Sequence, residues 1–196
     1  MSTQVKIVKF IPLNLTADKG DGKYASLTWS IRKGYPRVTV YTDNNNDRNG
    51  EFVYDRLIIA PFDAITINMV MDTLDKVIKD DKPSEQAIKC YNVEFVNHVK
   101  TDNIIKQATV TLGKDTKGVI YIKVENDNNP PTRFDLMPNP KWHKFVDETG
   151  GEITDNRILS NMHAKAYATR LRSLMDKYLA DDDNVKITSK DAPVIS

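Results

Sequence analysis

One cysteine, Cys90, is all that the 196 residues contain, so no disulfide can close within the chain and no zinc site built from several cysteines can form. That usage points to a reducing compartment. Apolar runs are equally scarce. None approaches the ~20 residues that span a bilayer, and the opening MSTQVKIVKF lacks the apolar core and small-residue cleavage site of a secretory signal. The expected location is the cytoplasm in which the chain is made, the host cytoplasm if the protein is viral, with no membrane partner. An excess of one charge is missing too, since the formal net charge is +1. Such a balance neither advertises a polyanion partner nor excludes one held by a local patch. Signatures of catalysis are also absent: there is no Gly-rich phosphate loop and no Gly-x-Ser-x-Gly elbow, and His98, His143 and His163 are not spaced as a metal-binding pair on one helix. His143 with Asp147 and Glu148 could ligate a cation, although a loop this charged reads first as solvated surface. No enzyme, cofactor or metal site is expected.

What is present is an ordinary globular composition, 40% hydrophobic and 28% charged, in a length that suits one full-sized core better than two. Charge is unevenly spread. Residues 1–60 hold nine Lys or Arg against six Asp or Glu, whereas the stretch from Ala180 holds four acids against two lysines and predicts a flexible acidic tail over 181–196. Apolar alternation predicts strands over Gln4–Leu15, Lys23–Arg32, Tyr35–Thr42 and Phe52–Ala60. Asp63 then stands as the N-cap of a helix with Ile67, Val70, Met71, Leu74, Val77 and Ile78 in one stripe. Asp80 to Glu85 reads as a linker. Beyond it strands follow over Tyr91–His98, Ile105–Leu112, Gly118–Glu125 and Thr132–Leu136, then a helix over Ile158–Leu179. The fold class is α+β, a single domain of two ββββα units over 4–79 and 90–180, antiparallel sheets each covered by one helix.

The two units match residue by residue. Lys23-Tyr-Ala25-Ser-Leu27-Thr28 corresponds to Lys106-Gln-Ala108-Thr-Val110-Thr111, and Lys33-Gly34 to Lys117-Gly118 one residue later. Val38 and Val40 then fall on Ile122 and Val124. Two unrelated β-hairpins would share alternation and a Gly turn, so chance likeness is the alternative.

The outward faces carry the chemistry. The first unit presents Lys23, Arg32, Tyr35, Arg37 and Tyr41, with Tyr54 and Arg56 from the next strand; the second presents Lys106, Tyr121, Lys123 and Arg133. Rings interleaved with cations suit single strands, because unpaired bases stack on aromatics while the cations neutralise phosphates. The same residues also suit the solvated face of any antiparallel sheet. Trp29 shares a face with Leu27 and Ile31, which points to a core or inter-half role. Trp142, after Pro138 and Pro140, either caps the core or stands exposed.

Two successive units of four strands and a helix resemble the Whirly family of single-stranded DNA-binding proteins, themselves similar to the PC4-type coactivator fold. Gly22-Lys23-Tyr24-Ala25-Ser26-Leu27 resembles the Lys-Gly-Lys-Ala-Ala-Leu-Ser strand by which that family contacts DNA and assembles, with Asp21 in place of the first lysine and the small residues reordered. The likeness in topology covers residues 4–180, and Lys23 and Ser26 are the positions that match. It implies a sheet surface for single-stranded DNA, no catalysis, no cofactor, a homo-oligomer, and replication or recombination proteins as partners. The size and the Asn- and Asp-rich turns also look like a phage-encoded member. The competing readings are a protein-interaction module, such as a viral inhibitor or regulator of a host protein, and a structural virion component.

Overall fold

The computed structural model describes residues 8–20, 22–32, 34–42, 57–96 and 99–188. Within them the chain is α+β, with two four-stranded antiparallel sheets and two helices. The first sheet follows chain order through β1 (Val8–Gly20), β2 (Lys23–Arg32), β3 (Tyr35–Tyr41) and β4 (Leu57–Pro61), and α1 (Ala64–Lys79) comes next. The second repeats the pattern through β5 (Ser84–Val96), β6 (Val99–Lys114), β7 (Ile120–Asn126) and β8 (Asn129–Asp135), and α2 (Asn156–Thr188) closes it.

Local chemistry accounts for these elements. Ala25, Leu27, Trp29 and Ile31 alternate along β2 and are all buried, as are Val38 and Val40 opposite them on β3. The β2–β3 and β6–β7 turns place Gly34 at φ +76° and Gly118 at φ +78°, a left-handed conformation that glycine adopts without a Cβ penalty. The Asp63 carboxylate accepts from the amides of Ile65 and Thr66 and starts α1. Asp155 does the same for the amide of Arg157 at the start of α2.

Registers in the two sheets run in step. Leu27 pairs with Val40, Trp29 with Val38 and Ser30 with Arg37; in the second sheet Val110 pairs with Val124, Leu112 with Ile122 and Gly113 with Tyr121. Even the strand exits correspond: the Phe62 amide donates to the Pro36 carbonyl, the Leu136 amide to that of Ile120, both at 2.8 Å.

Four boundaries differ by five residues or more from the sequence expectation, the first being the end of β1, which moves from Leu15 to Gly20. Strand β5 starts at Ser84, so the linker shrinks to Asp80–Pro83, because Gln86 to Cys90 pair with β6 although their apolar pattern is weak. Strand β6 starts at Val99, and since β7 pairs with it only from Thr109 on, residues 91–96 and 99–107 form a two-stranded arm. Helix α2 runs through the acids at 181–183 to Thr188, where each added residue gains a backbone bond once a helix is nucleated. The start of the strand expected at Phe52, with Tyr54 and Arg56, lies outside the described residues.

Both sheets and both helices share one hydrophobic cluster. Each helix reaches beyond its own unit, α1 touching β3 but also β5 and β6, and α2 touching β7 but also β1. Polar ties cross in the same way. The indole N–H of Trp29 on β2 donates to the Tyr167 hydroxyl on α2 at 2.7 Å, deep in the core. The buried Lys114 amine on β6 donates to the carbonyls of Ile78 and Asp80, meeting the C-terminal end of α1, and the Asn161 amide adds a bond to Ile78 at 3.1 Å. Among the described residues no helix is long and apolar enough to cross a membrane.

Replacing Tyr167 with Phe keeps the ring and strands the Trp29 N–H without its acceptor. Stability should fall by about 1–3 kcal/mol, read as a lower urea midpoint at unchanged m; an unmoved midpoint would show that another acceptor takes over.

Candidate nucleic-acid interface

The outer faces of the two sheets can be compared row by row, because the registers correspond. In the first sheet one row reads Phe10, Ser30, Arg37, Pro61; its counterpart in the second reads Glu85, Gly113, Tyr121, Asp135. The next row places Thr28, Thr39 and Ile59 against Thr111, Lys123 and Arg133. Arg32, beside Tyr35, holds the place that Asp115 holds in the second sheet. One face thus carries cations, rings and aliphatics without acids in these rows, while the other carries both signs.

On the second face the charges cancel. The Tyr121 ring lies flat over Gly113, where an added Cβ would come within 2.5 Å of the ring's Cζ and hydroxyl. Its hydroxyl donates to Glu85 at 3.0 Å, and the Arg133 guanidinium covers the ring at 4.1 Å from the centroid. Arg133 pairs with Asp115 at 2.7 Å and Asp135 at 2.5 Å, Lys123 with Glu85 at 2.7 Å, and Lys106 with Asp127 at 2.5 Å. Bonds from Lys123 and Tyr121 hold the Glu85 carboxyl below its ordinary range. Contrary to the expectation that Tyr121 is presented outward to solvent, it is buried: the missing side chain at Gly113 lets the ring fold down and the arginine seals it. The bond that Lys106 donates to Asp127 is the main cause that raises the Lys106 pKa.

On the first face Arg32 and Arg37 have no acid partner among the described residues. Arg37 donates to the Ser30 hydroxyl at 3.1 Å, which accounts for the burial of that serine on an outer face. Its guanidinium pKa is lowered, first by burial and then by repulsion from Arg32, while Tyr41 pulls the other way. Arg32 and Arg37 line a cleft of 660 Å³ between this face and the base of the β5–β6 arm, together with Tyr35, Lys89 and Tyr91. Asp63 is the acid in the cleft wall, and its carboxylate is engaged by the helix it caps, accepting also from the Thr66 hydroxyl at 2.6 Å. Tyr35 is 62% exposed and Tyr91 55%.

The residues selected from sequence are therefore divided. Arg32, Tyr35 and Arg37 come together in the cleft. Tyr41 and Ser26 sit opposite each other on the same outer face, further along the strands. Lys23 does not share that face: alternation places it with Ala25 and Leu27, nine residues or about 30 Å from Arg32. It lies instead beside Thr16, Asp18 and Tyr24 at the β1–β2 turn. Lys106, Tyr121, Lys123 and Arg133 belong to the neutralised face. Sequence reasoning missed Phe10, Lys89 and Tyr91. Phe10 has the right parity for the outer face; Lys89 falls just ahead of the strand start expected at Tyr91. In the loop that holds His143, the Asp147 carboxylate is turned to the amides of Thr149 and Gly151. Comparison with protein-family models, curated proteins and solved structures finds no match to this chain.

The seal over Gly113 is testable. Gly113→Ala should displace the Tyr121 ring and cost about 1–3 kcal/mol, and combining it with Tyr121→Ala should recover part of that cost in a double-mutant cycle; strict additivity would refute the packing of ring on glycine. Acid should loosen the same cluster. Because the folded-state pKa of Glu85 is depressed, its contribution is present above about pH 4.3 and lost as pH falls through the lower folded value.

Proposed function

We propose that the protein binds single-stranded nucleic acid, DNA first, in the manner of the Whirly and PC4-like proteins its sequence resembles, holding the strand in the cleft between the first sheet and the β5–β6 arm and catalysing no reaction. One observation carries this reading: Arg32, Arg37 and Lys89 line a cleft with two exposed tyrosines and have no acid partner among the described residues, whereas Lys106, Lys123 and Arg133 on the second sheet are each paired with a carboxylate. Unpaired guanidinium groups near each other repel, and a phosphate chain relieves that repulsion. Tyr35 and Tyr91 both line the cleft and are exposed, and rings there take any base and so favour binding without sequence preference. A duplex has no unstacked bases to give them.

A second reading keeps a specific observation in its favour. The arm displays Val99 at 67% and Ile104 at 72% exposure, a surface suited to another protein chain rather than to phosphates. Salt separates the two readings, because a phosphate-gripping site weakens steeply with ionic strength and an apolar contact does not.

The test is a titration of labelled oligothymidylate, against a duplex of equal length, at several salt concentrations. The single strand should bind tighter. Changing Arg32, Arg37 and Lys89 to Ala should flatten the slope of log K against log salt by about 2, at about 0.7 for each phosphate no longer neutralised. Tyr35→Ala should cost about 1–3 kcal/mol of binding without unfolding. A parent protein that binds no oligonucleotide ends this proposal and leaves the protein-interaction reading.

A further inference from the structure

The segment between β8 and α2 holds a large ring in solvent by dedicated backbone bonds. The Asn139 carbonyl accepts from the amides of Trp142 and His143, both at 3.1 Å, and its side chain accepts from the Lys141 amide. The Ile153 amide then donates to the Phe145 carbonyl, Val146 bridges to Glu152, and Asp147 ties the tip through Thr149 and Gly151. This small hairpin leaves Trp142 70% exposed, in contrast to Trp29 at 1%. The Lys141 ammonium stands 5.4 Å from the Trp142 ring centroid, within cation–π range.

Its charges favour an anionic occupant. From Pro138 to Val146 there are Lys141, His143 and Lys144 and no acid. Of the nearby carboxylates, Glu152 pairs with Lys144, Asp147 faces its own loop, and Glu148 is exposed at the hairpin tip, six residues beyond Trp142 in the chain. An exposed indole with an ammonium over it offers one base a stacking surface and its phosphate a counter-charge.

Position adds a length requirement. The hairpin leads into α2, whose Asn161 meets the C-terminal end of α1, whereas the cleft includes Asp63 and Thr66 at the opposite end of α1. Sixteen residues of helix separate the two ends, about 24 Å. At about 3.4 Å per stacked nucleotide that is about seven nucleotides.

We infer that the Lys141–Trp142 turn is a second base-stacking contact, reached only by single strands long enough to leave the cleft and cross the helix pair. The inference rests on the proposed binding of single strands, and the experiment separates the two. End-labelled oligothymidylates of about 5 and about 25 nucleotides are titrated into the full chain, following both the label and tryptophan emission. The long strand should quench the emission, and Trp142→Phe should abolish most of the quench because Trp29 is buried. Trp142→Ala should weaken the long strand about tenfold, within the range seen for removal of one stacked base, and leave the short strand unchanged. A label signal showing that the long strand binds, with emission undiminished or with equal affinity for Trp142→Ala, overturns this inference alone and assigns the ring to another partner. Failure of the parent to bind either strand overturns it together with the reading beneath it.

Discussion

A four-stranded sheet has one apolar face and cannot bury it against itself. In this chain neither sheet is covered solely by the helix that follows it. Helix α1 reaches across to β5 and β6 and α2 across to β1, so each unit's inner face depends on material from the other. The polar bonds obey the same logic. A buried indole N–H or ammonium is costly without a partner, and here the partners of Trp29 and Lys114 lie across the unit boundary. Hydrophobic closure and polar satisfaction therefore require the same geometry, with one core running through the whole molecule.

That shared core frees the outer faces to differ. With backbone registers in step, the contrast between the faces is one of side chains alone: Phe10 against Glu85, Arg32 against Asp115, Arg37 against Tyr121, Pro61 against Asp135. The second set closes into a network in which Lys123 and Arg133 meet carboxylates and the tyrosine is packed over a glycine. The first set leaves two guanidinium groups in mutual repulsion beside an open cleft. Surface ion pairs contribute little to stability individually, so the contrast between the faces is one of charge compensation more than of stability.

Much of this architecture was legible in the residues. Strict alternation in β2 and β3, the Lys-Gly turns and the stripe of α1 translated directly into buried and exposed positions, because burial on one face imposes a period of two on strands and a three-and-four spacing on helices. The arm was legible only in part: a strand was expected from Tyr91, but not the start of its partner at Val99. Its strands carry apolar residues without a clear alternation, and two register shifts break the pattern that a reader would follow. The candidate site was half legible for a related reason. Alternation says which residues point away from the core, and Arg32, Tyr35 and Arg37 do lie on the outer face; it is silent about whether a neighbour such as Glu85 or Asp127, distant in sequence, has already claimed the charge. At Lys23 the motif match and the parity of the strand point to different faces.

The buried lysine at the end of α1 has one more implication. Lys114 stands where the first sheet has Ile31, on the inner side of the strand, so the two units are alike in backbone yet no longer interchangeable. A copy of the first unit put in place of the second would bring an isoleucine to helix-end carbonyls that now receive an amine. Two halves that differ at such a joint cannot be exchanged for one another without leaving buried carbonyls at the end of α1 short of a donor.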